Sequence, residues 1–127
     1  MTFGDKQKLI LGYLKAYNSL DVEGMLRFLD EDIEFENYQG GELTHQLEGK
    51  ANFEKQANEA LAYFSSRNQR AVNWTEKGES LEVEIEFQAL AAVDFPNGIK
   101  KGQFIQFEGK SIFEFRNSKI LKIKDFS

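Results

Sequence analysis

The 127-residue sequence contains no cysteine, one histidine and one proline. Without thiols it has no disulfide framework, no thiolate metal site and no cysteine nucleophile. A single imidazole, His45, excludes a multi-histidine metal centre. Long apolar runs are also missing. The longest, Ala89 to Val93, suits a buried strand and falls far short of the ~20 apolar residues of a membrane-spanning helix. The first residues show no basic segment leading into an apolar stretch, so no signal peptide is expected and the cytoplasm is the default compartment. Positive charge is in deficit: 16 Lys and Arg stand against 21 Asp and Glu, for a net charge of -5. That balance argues against a nucleic-acid partner held by phosphate contacts. There is no Walker or Rossmann glycine pattern, and Gly40-Gly41 reads as a loop and not as a phosphate cradle. No repeat or Pro/Gly/Ser-rich linker divides the chain, so one domain over residues 1–127 is expected.

What is present is core-forming material. Hydrophobic residues make up 41% of the chain and 12 of them are phenylalanine, enough to build an interior without a covalent staple. Ile10, Tyr13, Leu14 and Tyr17 recur at helical spacing and predict a first helix over about Asp5 to Leu20. Asp21 is placed to cap a second, Val22 to Leu29. From Ile33 the period becomes two, with Ile33, Phe35 and Asn37 on one strand face and Glu34, Glu36 and Tyr38 on the other. A loop from Gly40 to Gly49 is expected next, then a third helix over Lys50 to Phe64.

The remainder reads as strand. Arg70 to Glu76 carries Val72 and Trp74 on one face. Leu81 to Phe95 alternates without a break around a ladder of Glu82, Glu84 and Glu86, the pattern of an antiparallel strand with one wet face. After a Phe95-Pro96-Asn97-Gly98 turn, Gln103 to Phe115 and Lys119 to Phe126 complete the set, with Gly109 as a candidate bulge. Three helices before a run of long antiparallel strands predict an α+β architecture, with the helices packed on one face of a curved sheet. Such a cone has a mouth, and mouths of this kind hold ligands. Leu90 and Ala92, less polar than the glutamates before them, offer a patch for pairing with a second copy.

Three stretches carry a resemblance. Tyr17-Asn18-Ser19-Leu20-Asp21-Val22-Glu23-Gly24, Phe28-Leu29-Asp30-Glu31-Asp32-Ile33-Glu34-Phe35, and Gly109 to Phe115 continued by Lys119 to Phe126 resemble, in order and spacing, the nuclear transport factor 2-like superfamily in its SnoaL-like and ketosteroid isomerase-like branches. The resemblance implies a cystatin-like conical barrel, a homodimer, and an apolar pocket for a small molecule without metal or organic cofactor. It does not fix a reaction, because isomerases, dehydratases, cyclases, hydrolases and non-catalytic binding modules share the fold.

On that frame several residues are candidates for chemistry. Tyr13 matches the position where the isomerases place an oxyanion-donating tyrosine; the alternative is a core tyrosine with its hydroxyl satisfied. Asn37 and Ser111 stand where those isomerases carry their two acids, so the isomerase mechanism does not transfer, although both side chains can still orient a ligand. Asp125 shares the inward parity of Leu121 and Ile123, and the cyclase branch has an acidic base on a late strand. Against Phe113 and Ile123 its carboxylate would be desolvated and its pKa raised toward that of a working base; the alternative is an exposed acid at a fraying terminus. His45, in the loop near the mouth, is either a dyad partner for a pocket acid or a solvated side chain. Trp74 and Phe113 are either ligand contacts or core filling. Asp125 and Tyr13 are thus the catalytic candidates, and Asn37, His45, Trp74, Ser111 and Phe113 the ligand-binding ones.

Overall fold

The computed structural model describes all residues from Met1 to Ser127. Helix α1 spans Phe3–Asn18 and is opened by a capping box. Thr2 accepts from the Asp5 amide at 3.0 Å while the Asp5 carboxylate accepts from the Thr2 amide at 3.1 Å. Its stripe buries Ile10, Tyr13, Leu14 and Ala16. The helix stops two residues earlier than its periodicity predicts, because Leu20 turns into the left-handed region at φ 57°. Asp21 caps helix α2, Val22–Leu26, by accepting from the Gly24 amide at 2.9 Å. This helix is shorter than expected, since the chain is already extended at Leu29.

The strands are β1 (Leu29–Gln39), β2 (Glu42–Glu48), β3 (Phe64–Lys77), β4 (Ser80–Ala91), β5 (Phe104–Arg116) and β6 (Lys119–Phe126), with helix α3 (Lys50–Ala60) and a short 3-10 turn (Leu61–Tyr63) between β2 and β3. They form one sheet in the order β2-β1-β6-β5-β4-β3. Only β1 and β6 run parallel. The last strand therefore lies in the middle of the sheet. Its end is tied down too, because the Ser127 amide donates to the Tyr38 carbonyl at 3.0 Å and the Gly40 amide to the Ser127 carbonyl at 3.1 Å. A fraying terminus is excluded.

Several boundaries and parities differ from the sequence reading for identifiable reasons. Residues 42–48, expected as loop, are the edge strand β2; almost every position on it is exposed, so no apolar alternation marks it. Strand β3 begins at Phe64, earlier than Arg70, and bulges at Val72, which is exposed on the outer face while Trp74 turns inward. The two do not share a face. Strand β4 ends at Ala91, before Phe95. Gly109 is not a bulge, since β4 and β5 stay in register from Leu81↔Phe113 to Leu90↔Phe104. A Cβ on Gly109 would lie 2.5 Å from the Phe126 carbonyl oxygen, so glycine is needed there for the close approach of the C-terminal backbone. The irregularity falls instead at Leu121, between the pairs Glu114↔Lys122 and Phe115↔Ile120. It puts Ile120 inside, fully buried, in place of Leu121.

Helices α1 and α3 cover the inner sheet face. The core between them holds Ile10, Leu14, Ile33, Phe53, Leu81, Val83, Phe113, Ile120 and Ile123, most of them below 2% exposed. The outer face carries the glutamate ladder, with Glu86 paired to Arg70 at 2.5 Å and Glu82 to Lys110 at 3.4 Å. Leu90 and its neighbour Phe104 are, with Val72, large apolar side chains exposed there. No helix is long and apolar enough to cross a membrane.

Candidate active site

Strand pairing brings the sequence candidates into one row. Reading across the sheet, His45 pairs with Asn37, Asn37 with Asp125, Asp125 with Ser111, Ser111 with Val83, and Val83 with Trp74. Residues far apart in the chain thus become lateral neighbours, and the middle of the row faces a cavity.

That cavity has two lobes. The sheet-side lobe, about 340 Å³, is walled by Ile85, Phe87, Ile105 and Phe107 and by Phe95 and Ile99 of the β4–β5 loop. The helix-side lobe, about 220 Å³, lies against Tyr13, Met25, Phe35, Phe53 and Ala57. Tyr17, Asn37, Phe64, Gln69 and Asp125 line both. Gln39, Asn97, Lys110 and Ser127 add polar groups to the sheet-side lobe away from that junction. Apolar walls with placed polar groups are the usual make-up of a small-molecule site.

Asp125 is the acid at that junction. Ser111, itself 3% exposed, donates its hydroxyl to Asp125 Oδ1 at 2.6 Å. Oδ2 makes no hydrogen bond within the chain, and no fully buried side-chain polar atom lacks a partner, so Oδ2 reaches cavity space. Burial pushes the carboxyl up to about 6, and the Ser111 bond only partly opposes this. A carboxylate so placed is ionised at neutral pH yet basic enough to take a proton.

Tyr13, 5% exposed, lines the helix-side lobe, and burial, reinforced by the Asp125 charge, holds its hydroxyl well above the ordinary phenol range. Burial raises Tyr17 as well, opposed by the Arg67 guanidinium. Both stay neutral donors at physiological pH. Asn37 lines both lobes, its amide donating to Thr44 Oγ1 at 2.9 Å, which leaves its carbonyl oxygen for the cavity.

Three candidates lie elsewhere. His45 is not in a loop: it is exposed on the edge strand β2, its Nδ1 3.2 Å from Thr44 Oγ1, and Asn37 separates it from Asp125. Trp74 lies outside both lobes and packs edge-on against Phe3 at 6.4 Å, because the sheet has curved away from the cavity by that end of the row. Phe113, 1% exposed, sits in the core with its ring 6.4 Å from that of Tyr13 and lines neither lobe.

Several cavity residues are not among the sequence candidates, Tyr17 and Gln56 included, and two of them, Gln69 and Arg67, are assigned to no inward face at all by the sequence pattern. The bulge at Val72 is the reason. Strict alternation back from Trp74 puts Arg70 and Asn68 inside, whereas the observed pairs Ala71↔Ile85, Gln69↔Phe87 and Arg67↔Ala89 put the other set there. Asn18 fixes this stretch by bonding both the amide (2.7 Å) and the carbonyl (3.1 Å) of Gln69. No group of three His, Cys, Asp or Glu side chains stands close enough to hold a metal ion.

A family profile described as the SnoaL-like domain matches residues 10–123. The chain belongs to the SnoaL-like family of the nuclear transport factor 2-like superfamily. No protein of curated function matches it by sequence. Solved structures share the fold at low identity. A Xanthomonas campestris pv. campestris protein with the provisional designation polyketide cyclase is 20% identical over 98% of this chain and 90% of its own, with a TM-score of 0.81. An LEH-like epoxide hydrolase of M. tuberculosis is 14% identical over 97% and 82%, at 0.77. TerC, co-crystallised with polyporic acid, is 15% identical over 95% and 89%, at 0.76.

Proposed function

We propose that the chain is an acid/base enzyme acting on a small, largely apolar compound that carries a carbonyl or hydroxyl group. Asp125 takes the proton, from a carbon beside the carbonyl or from a hydroxyl. Tyr13 and Tyr17 donate to the oxygen on which charge develops, where the low dielectric strengthens such bonds. Isomerisation, dehydration, aldol-type cyclisation and hydrolysis all fit this set of groups. The observation that carries the reading is Asp125 itself: a carboxylate held by Ser111, raised to about 6 by burial, and open to an apolar cavity. The designations of the cyclase and the epoxide hydrolase support the reading by analogy of fold. A second reading, a pocket that binds without catalysis, is favoured by Asn37 and Ser111, which replace the two carboxylates of the ketosteroid isomerase pattern.

A thermal-shift panel of apolar carbonyl and hydroxyl compounds separates these readings. A fitting compound at a hundredfold excess over its Kd adds about 2.7 kcal/mol of stability. Its kcat/KM is expected to rise with pH through an apparent pKa near 6, following Asp125. Turnover with no limb near that pH removes Asp125 from the role of base. Binding without turnover selects the second reading, and a panel with no shift at all contradicts both.

A further inference from the structure

Arg67 is a buried cation to which the chain supplies no counterion. Its side chain is 5% exposed, on the inward face of β3. Nε donates to the Tyr17 carbonyl at 2.9 Å and Nη2 contacts Met25 Sδ at 3.8 Å. The guanidinium carbon sits over the Tyr17 ring, 3.7 Å from its centroid. No carboxylate comes within 4.0 Å of it, although the chain has seven other ion pairs, all of which involve groups nearer solvent. A guanidinium has five N–H donors and keeps its charge in proteins. Nε and Nη2 are engaged by these contacts, and the guanidinium also lies close enough to the Tyr17 hydroxyl to oppose the rise of its pKa. Nη1 makes no hydrogen bond and, since no fully buried polar atom is left without a partner, it reaches the helix-side lobe that Arg67 lines.

Burying a charge is costly unless it is paired. The C-terminal carbonyls of α1 and the Tyr17 ring offset part of that cost. They do not account for an Nη1 without a partner beside Gln56, a further polar side chain of the same lobe with no hydrogen bond of its own. Planar donors of this kind match a planar oxyanion.

We infer that the ligand of this cavity is an organic anion, a small apolar molecule whose carboxylate or comparably acidic oxygen docks on Arg67, with its apolar body toward the Phe-lined sheet-side lobe. This rests on the cavity being a ligand site, as proposed above, and adds the charge class of what it takes. Asp125, at the lobe junction, would face the part of the molecule beyond its acidic group, so the anion is bound at one place and the proton moved at another.

The test is isothermal titration of the full chain at pH 7 with two matched pairs, 2-naphthoate against 2-naphthamide and cinnamate against cinnamamide. The carboxylates are expected to bind about tenfold or more tightly than their amides, the margin of a charge-assisted pair. That preference should vanish in Arg67→Gln and survive in Arg67→Lys. The wild-type comparison needs no variant, so a variant that fails to fold does not blunt the test. Equal affinities, or tighter amides, overturn the anion site and leave the cavity reading intact; they would assign Arg67 to holding the end of α1. No binding by any of the four, when the wider carbonyl panel yields a ligand, also overturns it. No binding in either panel overturns the cavity reading and this inference together.

Discussion

Asp125→Asn is expected to stabilise the protein at neutral pH while removing its catalysis. Burial raises the folded-state pKa of this carboxyl from the ordinary 3.8 to about 6, so folding favours its neutral form. Its contribution to stability is fully present below about pH 4, where the group is protonated whether folded or not. The contribution is lost as pH rises to about 6, and above that the folded state carries an ionised, poorly solvated carboxylate. A shift of about two units corresponds to at most ~3 kcal/mol, less to the extent that water in the cavity solvates Oδ2. Asparagine keeps an oxygen to accept the Ser111 hydroxyl and cannot ionise. Chemical denaturation should therefore show the variant to be more stable by about 1–3 kcal/mol at pH 7, the gain shrinking to nothing near pH 4. Turnover of any substrate found should fall by about 10²–10⁴, the usual worth of a positioned base. Equal stability at both pH values, or retained turnover, would contradict the role given to Asp125. A site that costs stability and repays it in function is a known pattern.

Phe113→Ala should have the largest purely structural effect. The ring is 1% exposed, lies on β5 opposite Leu81 and Ile123, and meets Tyr13 edge-on. Truncation removes the apolar transfer energy and leaves a void under α1, a loss of about 3–5 kcal/mol measured by urea unfolding. Phe113→Leu should cost less than about 1.5 kcal/mol and leave ligand affinity unchanged, because the ring touches neither lobe of the cavity. A Leu variant of near-normal stability whose ligand affinity drops tenfold would return Phe113 to the ligand contacts.

The parts of this structure that were legible in the sequence are those where periodicity had a long run to act on. The stripe of α1, the Asp21 cap, the unbroken alternation of Leu81 to Ala91 and the inward position of Asp125 all follow from residue spacing. The row that joins Asn37, Asp125 and Ser111 was approached through parity and resemblance, and pairing of β1, β6 and β5 makes it physical. What was not legible depends on single inserted residues. Val72 and Leu121 each shift a strand by one, and each moves a set of side chains to the other face. The first hid Arg67 and Gln69; the second exchanged Leu121 for Ile120. Neither residue is glycine or proline, so nothing in its type announces a bulge. Gly109, whose type does suggest one, answers a different need, the Phe126 carbonyl pressed against it. Strand β2 was missed because both of its faces are wet. The polar loop reading of His45 failed with it.

The central property of the site is a carboxyl at the cavity junction that holds its proton to a higher pH than an ordinary aspartate. The direct measurement is a ¹³C NMR titration of the Asp125 side-chain carboxyl in the wild-type protein, assigned by its absence from the Asp125→Asn spectrum. A midpoint near 6 is the predicted result. A midpoint near 4, the ordinary value for a solvated aspartate, would mean that water reaches the group freely, and Asp125 would then be no base and the cavity no dry site.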